Sequence, residues 1–81
     1  MQESTSNSSI KDVTLVKKRR NEIIQSAITL FKQKGFHRTT TREIAKEAGF
    51  SIGTLYEYIR KKEDVLILVY ESINDHVYQH I

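Results

Sequence analysis

The chain has 81 residues, no cysteine and a formal net charge of +3. A chain this small holds one domain with a modest core, and without cysteine it has neither a disulfide staple nor a thiolate metal site. Met1 is followed by polar residues, and no apolar run approaches the ~20 residues that span a bilayer, so a soluble cytoplasmic chain with no membrane partner is expected.

Residues 1–9, MQESTSNSS, are polar and lack a core-forming pattern. Residues 1–16 therefore read as a largely disordered arm. Ser9 and Asp12 form a weak capping pair, so the first helix begins near Ile10 or near Lys17, and the sequence leaves both starts open. From Arg20 the pattern is clear. Ile23, Ile24, Ala27, Leu30 and Phe31 recur at three- and four-residue steps and share one helix face. Lys32, Lys34 and Gly35 end that helix, and Phe36 is expected to fold back on it.

Thr40 and Glu43 make a capping box for a short second helix whose inward residues are Ile44, Ala45 and Ala48. Gly49 stands where a left-handed residue closes that helix. Ser51 is the N-cap of a third helix, with Leu55 and Ile59 inward. Two short helices around a glycine turn are the pattern of a helix-turn-helix, here within residues 17–62. Residues 63–81 read as a fourth helix. Glu63 and Asp64 stand in its first turn, and Leu66, Val69, Tyr70, Ile73 and Val77 are spaced as one face. Ile67 and Leu68 then look like surface for something else. The last helix is expected to continue into an absent domain.

The charge is unevenly placed. Residues 17–62 carry twelve lysines and arginines against four glutamates, a balance of +8, and the rest of the chain balances at −5. A basic body with acidic flanks suits a polyanion, because phosphate contacts dominate non-specific nucleic-acid affinity. No pair of side chains is spaced for nucleophilic or acid–base catalysis, and no cofactor signature is present. His76 and His80 are four residues apart, but a solvated pair is the simpler reading than a metal site.

The segment IIQSAITLFKQKGFHRTTTREIAKEAGFSIGTLYEYIRKKEDVL resembles the DNA-binding domain of the tetracycline-repressor (TetR) family of bacterial regulators. The match rests on A-x-x-L-F in the first helix, G-F-x-x-T-T in the linker, I-A-x-x-A-G in the second helix and G-T-L-Y in the third, in that order. It covers roughly Lys17 to Glu71. The resemblance implies an all-α, three-helix head joined through the fourth helix to a larger helical domain. That domain would dimerise the full-length protein and bind a small-molecule inducer, leaving this piece monomeric. One departure is Lys61, which stands where the family often has a serine or asparagine cap.

Candidate DNA-binding residues lie in and around the two short helices. Arg42 suits a guanine edge or a phosphate, against the alternative of a solvated helix arginine. Thr40 is a cap, and Thr41 is placed for a phosphate at a helix N-terminus. Ser51, Ile52, Gly53 and Thr54 open the third helix, whose first residues reach base edges in this kind of motif. Ile52 has no expected core role and suits a thymine methyl. Gly53 either lets the backbone approach DNA or allows tight helix packing. Thr54 serves a phosphate or a base. The resemblance assigns Tyr56 to the DNA backbone, and Tyr58 is either a further contact or partly core. Lys62 is expected to clamp a phosphate, His37 and Arg38 to touch the backbone from the linker, and Lys17 to Arg20 to form a basic arm or a solvated charge run. The expected partner is a near-palindromic double-stranded operator, bound by a ligand-released repressor. A non-specific nucleic-acid binder and a helical protein-interaction module are the alternatives.

Overall fold

A computed structural model describes the backbone of residues 2–80 and the side chains of residues 13–74. The described residues form four α-helices and no strand: α1 Gln2–Lys34, α2 Thr41–Ala48, α3 Ile52–Tyr56 and α4 Val65–His80, with one 3-10 turn at Lys62–Asp64 leading into α4. The chain is all-α, as its periodicity predicts.

The first helix starts at Gln2, ahead of both starts the sequence offers, and takes in the polar segment expected to be a disordered arm. Its composition carries no apolar face, but no glycine or proline interrupts it before Gly35, so nothing in the backbone stops helix propagation there. Val13, Leu15 and Val16 are exposed on this forward stretch.

From Ile23 onward the helix is held by tertiary packing. Ile23, Ile24, Ala27 and Leu30 are buried together with Ile44 and Ala45 of α2, Leu55 of α3, Ile59, and Val65 and Leu68 of α4. Helix α2 packs on both α1 and α3, and α4 packs along α1. Arg20 approaches Glu71 at 4.0 Å, so this end of the basic run turns toward α4, whereas Lys17 and Lys18 stay exposed.

The face of α4 differs from the expected one. Val65 and Leu68 are its buried residues, while Leu66, Tyr70 and Ile73 are exposed. Val69 is half-buried against the core, and Ile67 is exposed. Six consecutive apolar residues, Val65 to Tyr70, satisfy helical spacing on every face. Periodicity cannot select among them; the fit against α1 does. Val77 lies outside the described side chains.

Candidate nucleic-acid interface

The start of α2 is set by four local contacts. Gly35 ends α1 at φ 87°, and its N–H donates to the Phe31 carbonyl at 2.9 Å. The Thr39 side chain is buried, and its hydroxyl donates to the Gly35 carbonyl at 2.8 Å. Thr40 caps α2: its Oγ1 accepts from the Glu43 N–H at 3.2 Å, and the Glu43 carboxylate accepts from the Thr40 N–H at 3.0 Å. This is the capping box the sequence predicts. Glu43 also pairs with Lys34 of α1. The Lys34 ammonium, then the Thr40 N–H, hold the Glu43 carboxyl below its ordinary value. Thr39 was not singled out by the sequence. The signal was present as a threonine four residues beyond a helix-ending glycine, where its hydroxyl can reach back to the glycine carbonyl.

This frame delivers Thr41, half-buried, and Arg42, exposed, in the first turn of α2. His37 and Arg38 are exposed in the turn before it.

The second junction is a Schellman turn. Gly49 sits at φ 82°; its N–H donates to Lys46 at 3.1 Å and the Phe50 N–H to Ala45 at 2.8 Å. Ser51 then caps α3, with its Oγ accepting from the Thr54 N–H at 3.1 Å and donating to the Thr54 hydroxyl at 3.0 Å. Leu55 is the buried anchor of this five-residue helix. Tyr56 is exposed.

Ile52 departs from expectation. It is half-buried and packs against the core, because the first turn of so short a helix lies close to the elements around it. Its core role leaves only part of the side chain outward. Tyr58 is likewise half-buried against the core, which realises one of its two readings. For Gly53 the structure removes the packing alternative: a Cβ there would meet nothing nearer than the Ser51 hydroxyl at 3.9 Å. A Cβ at that distance would make an ordinary van der Waals contact, so nothing crowds the position.

Lys62 also departs from expectation. Its Nζ donates to the Phe36 carbonyl at 2.6 Å and to the His37 carbonyl at 3.0 Å, and stands 4.5 Å from the centre of the Phe36 ring. A lysine has three N–H donors, and two of them are spent within the chain. The Lys61 departure is answered by Asp64, whose carboxylate accepts from the Arg60 N–H at 3.0 Å and the Lys61 N–H at 3.3 Å. These bonds brace the backbone ahead of the 3-10 turn, while no side chain at Lys61 caps it. Arg60, to which the sequence assigned no role, is exposed and lines an open concavity with Tyr56. Its position four residues after an exposed tyrosine was the available signal.

Comparison with known proteins matches residues 23–69 to the family of bacterial regulatory proteins described as the tetR family, more than half of the chain. The chain is similar to the HTH-type transcriptional regulator HbdR of Aromatoleum sp. (strain CIB), 39% identical over 72 residues, which cover 89% of this chain and 31% of that protein. It is similar to the fatty acid metabolism regulator protein of Bacillus subtilis (strain 168), 38% identical over 51 residues, 63% of this chain and 26% of the relative. It is also similar to the HTH-type transcriptional repressor KstR2 of Mycolicibacterium smegmatis (strain ATCC 700084 / mc(2)155), 42% identical over 48 residues, 59% of this chain and 23% of the relative. The chain spans less than a third of the length of these curated relatives. No solved structure matches it.

Proposed function

The chain belongs to the tetR family of bacterial regulatory proteins, as a DNA-binding regulator domain, and on that premise we propose that it reads a specific operator through the first turns of α2 and α3. Serine-capped α3 enters the major groove and presents Ile52, Gly53 and Thr54. The uncrowded position of Gly53 is the observation that carries this reading. A glycine inside a helix costs stability, and no packing neighbour here requires it, so its use is to let the helix backbone approach a base pair closely. The outward part of Ile52 meets a thymine methyl. Arg42 takes a guanine edge or a phosphate. Thr41, Tyr56, His37 and Arg38 take phosphates and sugars, and Arg60 joins Tyr56 on the backbone. Ser51 and Thr54 hold the first turn together while offering hydroxyls outward, and Tyr58, half-buried against the core, offers only its outward part.

In the full-length protein two such heads bind a near-palindrome, one per half-site. Occupancy blocks transcription. A small-molecule inducer, bound beyond this domain, shifts the dimer toward a spacing that no longer fits the operator. Such a regulator acts in the cytoplasm. Repression is favoured over activation by the relative named as a repressor.

The test is selection of binding sequences from a random duplex pool at low salt. Enrichment of a defined half-site or palindrome is expected. Binding that falls steeply with salt yet enriches no sequence would reduce the head to a basic surface, and that outcome would sink the proposal.

A further inference from the structure

We infer that Lys62 is a positioning residue: its ammonium fixes the turn that launches α2, and it contributes to DNA binding through that turn rather than by holding a phosphate. The DNA-binding half of this inference rests on the function proposed above; the structural half does not. Two carbonyls, those of Phe36 and His37, converge on Nζ at 2.6 and 3.0 Å. These contacts join residues 26 and 25 positions apart, so they tie the entry to α4 to the far end of α1. The Phe36 ring lies 4.5 Å from the same ammonium and also packs against Phe31, with ring centres 5.0 Å apart. The turn is therefore held between the apolar end of α1 and a cation delivered by the entry to α4. Charge-assisted hydrogen bonds and a ring–cation contact are each stronger than their neutral counterparts.

The Phe36 carbonyl also accepts from the Thr39 N–H at 3.2 Å. Thr39 is the residue whose buried hydroxyl returns to Gly35, and it precedes the Thr40 cap of α2. Lys62 thus acts on an acceptor one step from the residues that aim Thr41 and Arg42. A phosphate at Nζ would have to use the third N–H or displace a carbonyl from the turn.

The experiment uses the 81-residue chain and its Lys62→Met and Lys62→Arg variants. Amide hydrogen exchange is followed without DNA, and affinity for duplexes recovered from the random pool is followed across a salt series. In Lys62→Met the Thr39 N–H is expected to exchange about tenfold faster, the loss corresponding to the charge-assisted bond that Nζ makes to the shared Phe36 carbonyl, with the Leu55 N–H unchanged. Affinity falls while the slope of log affinity against log salt stays within a few tenths of the native value. Arginine, which can also reach two carbonyls, restores both. Unchanged exchange at Thr39 would overturn the inference. So would a slope reduced by about 0.9, the signature of one lost phosphate contact. If the native chain enriched no duplex, the proposed function would fail, and the exchange result would still decide whether Lys62 holds the turn.

Discussion

Gly35 and Gly49 both close a helix at positive φ, 87° and 82°, yet the chain supports the two turns differently. The Gly35 turn is tied from several directions: by the Thr39 hydroxyl, by the Lys34–Glu43 pair, by the Thr40 capping box and by Lys62 from the entry to α4. Among the described residues, the Gly49 turn carries two backbone bonds and the Ser51 cap, with Phe50 and Ile52 half-buried against the core and Leu55 buried just beyond. The first turn is a long-range construction that sets α2 against the rest of the domain. The second combines local hydrogen bonds with apolar packing of Phe50 and Ile52, and it hands on a helix of only five residues. The element proposed to read bases is held by apolar packing rather than by cross-helix polar ties, and it keeps Gly53 and Tyr56 exposed beside the buried Leu55.

The largest expected effect strikes the anchor of the weaker junction. Leu55 is fully buried, and Leu55→Ala should cost about 2–5 kcal/mol through lost burial and a cavity. In a domain this small that is most of the stability, so thermal unfolding should begin near ambient temperature. Survival with a near-native transition would mean that α3 is held by something other than its core residue.

Next come the two glycines. A Cβ added at either position would meet nothing within 4 Å, so an alanine there meets backbone strain alone, about 1–2 kcal/mol at each site. The contrast lies in binding. Gly49→Ala should weaken duplex affinity well beyond Gly35→Ala, because the tied turn keeps its shape under strain and the local turn shifts α3. Equal losses in affinity titrations would erase the distinction between the turns.

Gly53→Ala sharpens the same comparison from the other side. It should raise stability by about 0.5–1 kcal/mol, the usual helix preference for alanine, while reducing affinity for the selected duplex. Chemical denaturation and a binding titration on the same variant decide it; a gain in both would remove Gly53 from the interface.

These expectations show which features local chemistry exposes. The Thr40–Glu43 box, the Ser51 cap, both left-handed glycines and the α1 stripe from Ile23 to Leu30 were legible because each depends on residues within one or two turns of helix. The inward face of α4 was not, because Val65 to Tyr70 is apolar all round. The half-burial of Ile52 and the inward destination of the Lys62 ammonium were hidden for a related reason. Both are decided by contacts with distant segments, and a lysine at the start of a helix near DNA looks the same in sequence whether it faces a phosphate or a carbonyl. The DNA-facing roles of Arg42, Tyr56 and their neighbours were suggested by residue type and family pattern, and their exposure in the structure is compatible with them.

The smallest effect concerns acid. The Glu43 carboxyl is held below its ordinary value by Lys34 and Thr40. A depressed folded-state value means that its contribution is complete above the unfolded-state value and is lost as pH falls through the folded one. Native stability should therefore be flat with respect to this group near neutrality and decline in the acid range. In Glu43→Gln, which keeps a capping side chain but loses the charge, that part of the acid decline should be absent. Parallel acid limbs for the two proteins would show that the ion pair adds nothing to the Gly35 turn.

The most direct test of the account is a map of backbone amide shifts on adding a duplex recovered from the random pool. The account predicts the largest changes at Thr41, Arg42, Ser51 to Thr54 and Tyr56, with the exposed α4 residues Leu66, Ile67 and Tyr70 unaffected. Shifts concentrated on that α4 surface, with α2 and α3 silent, would contradict it.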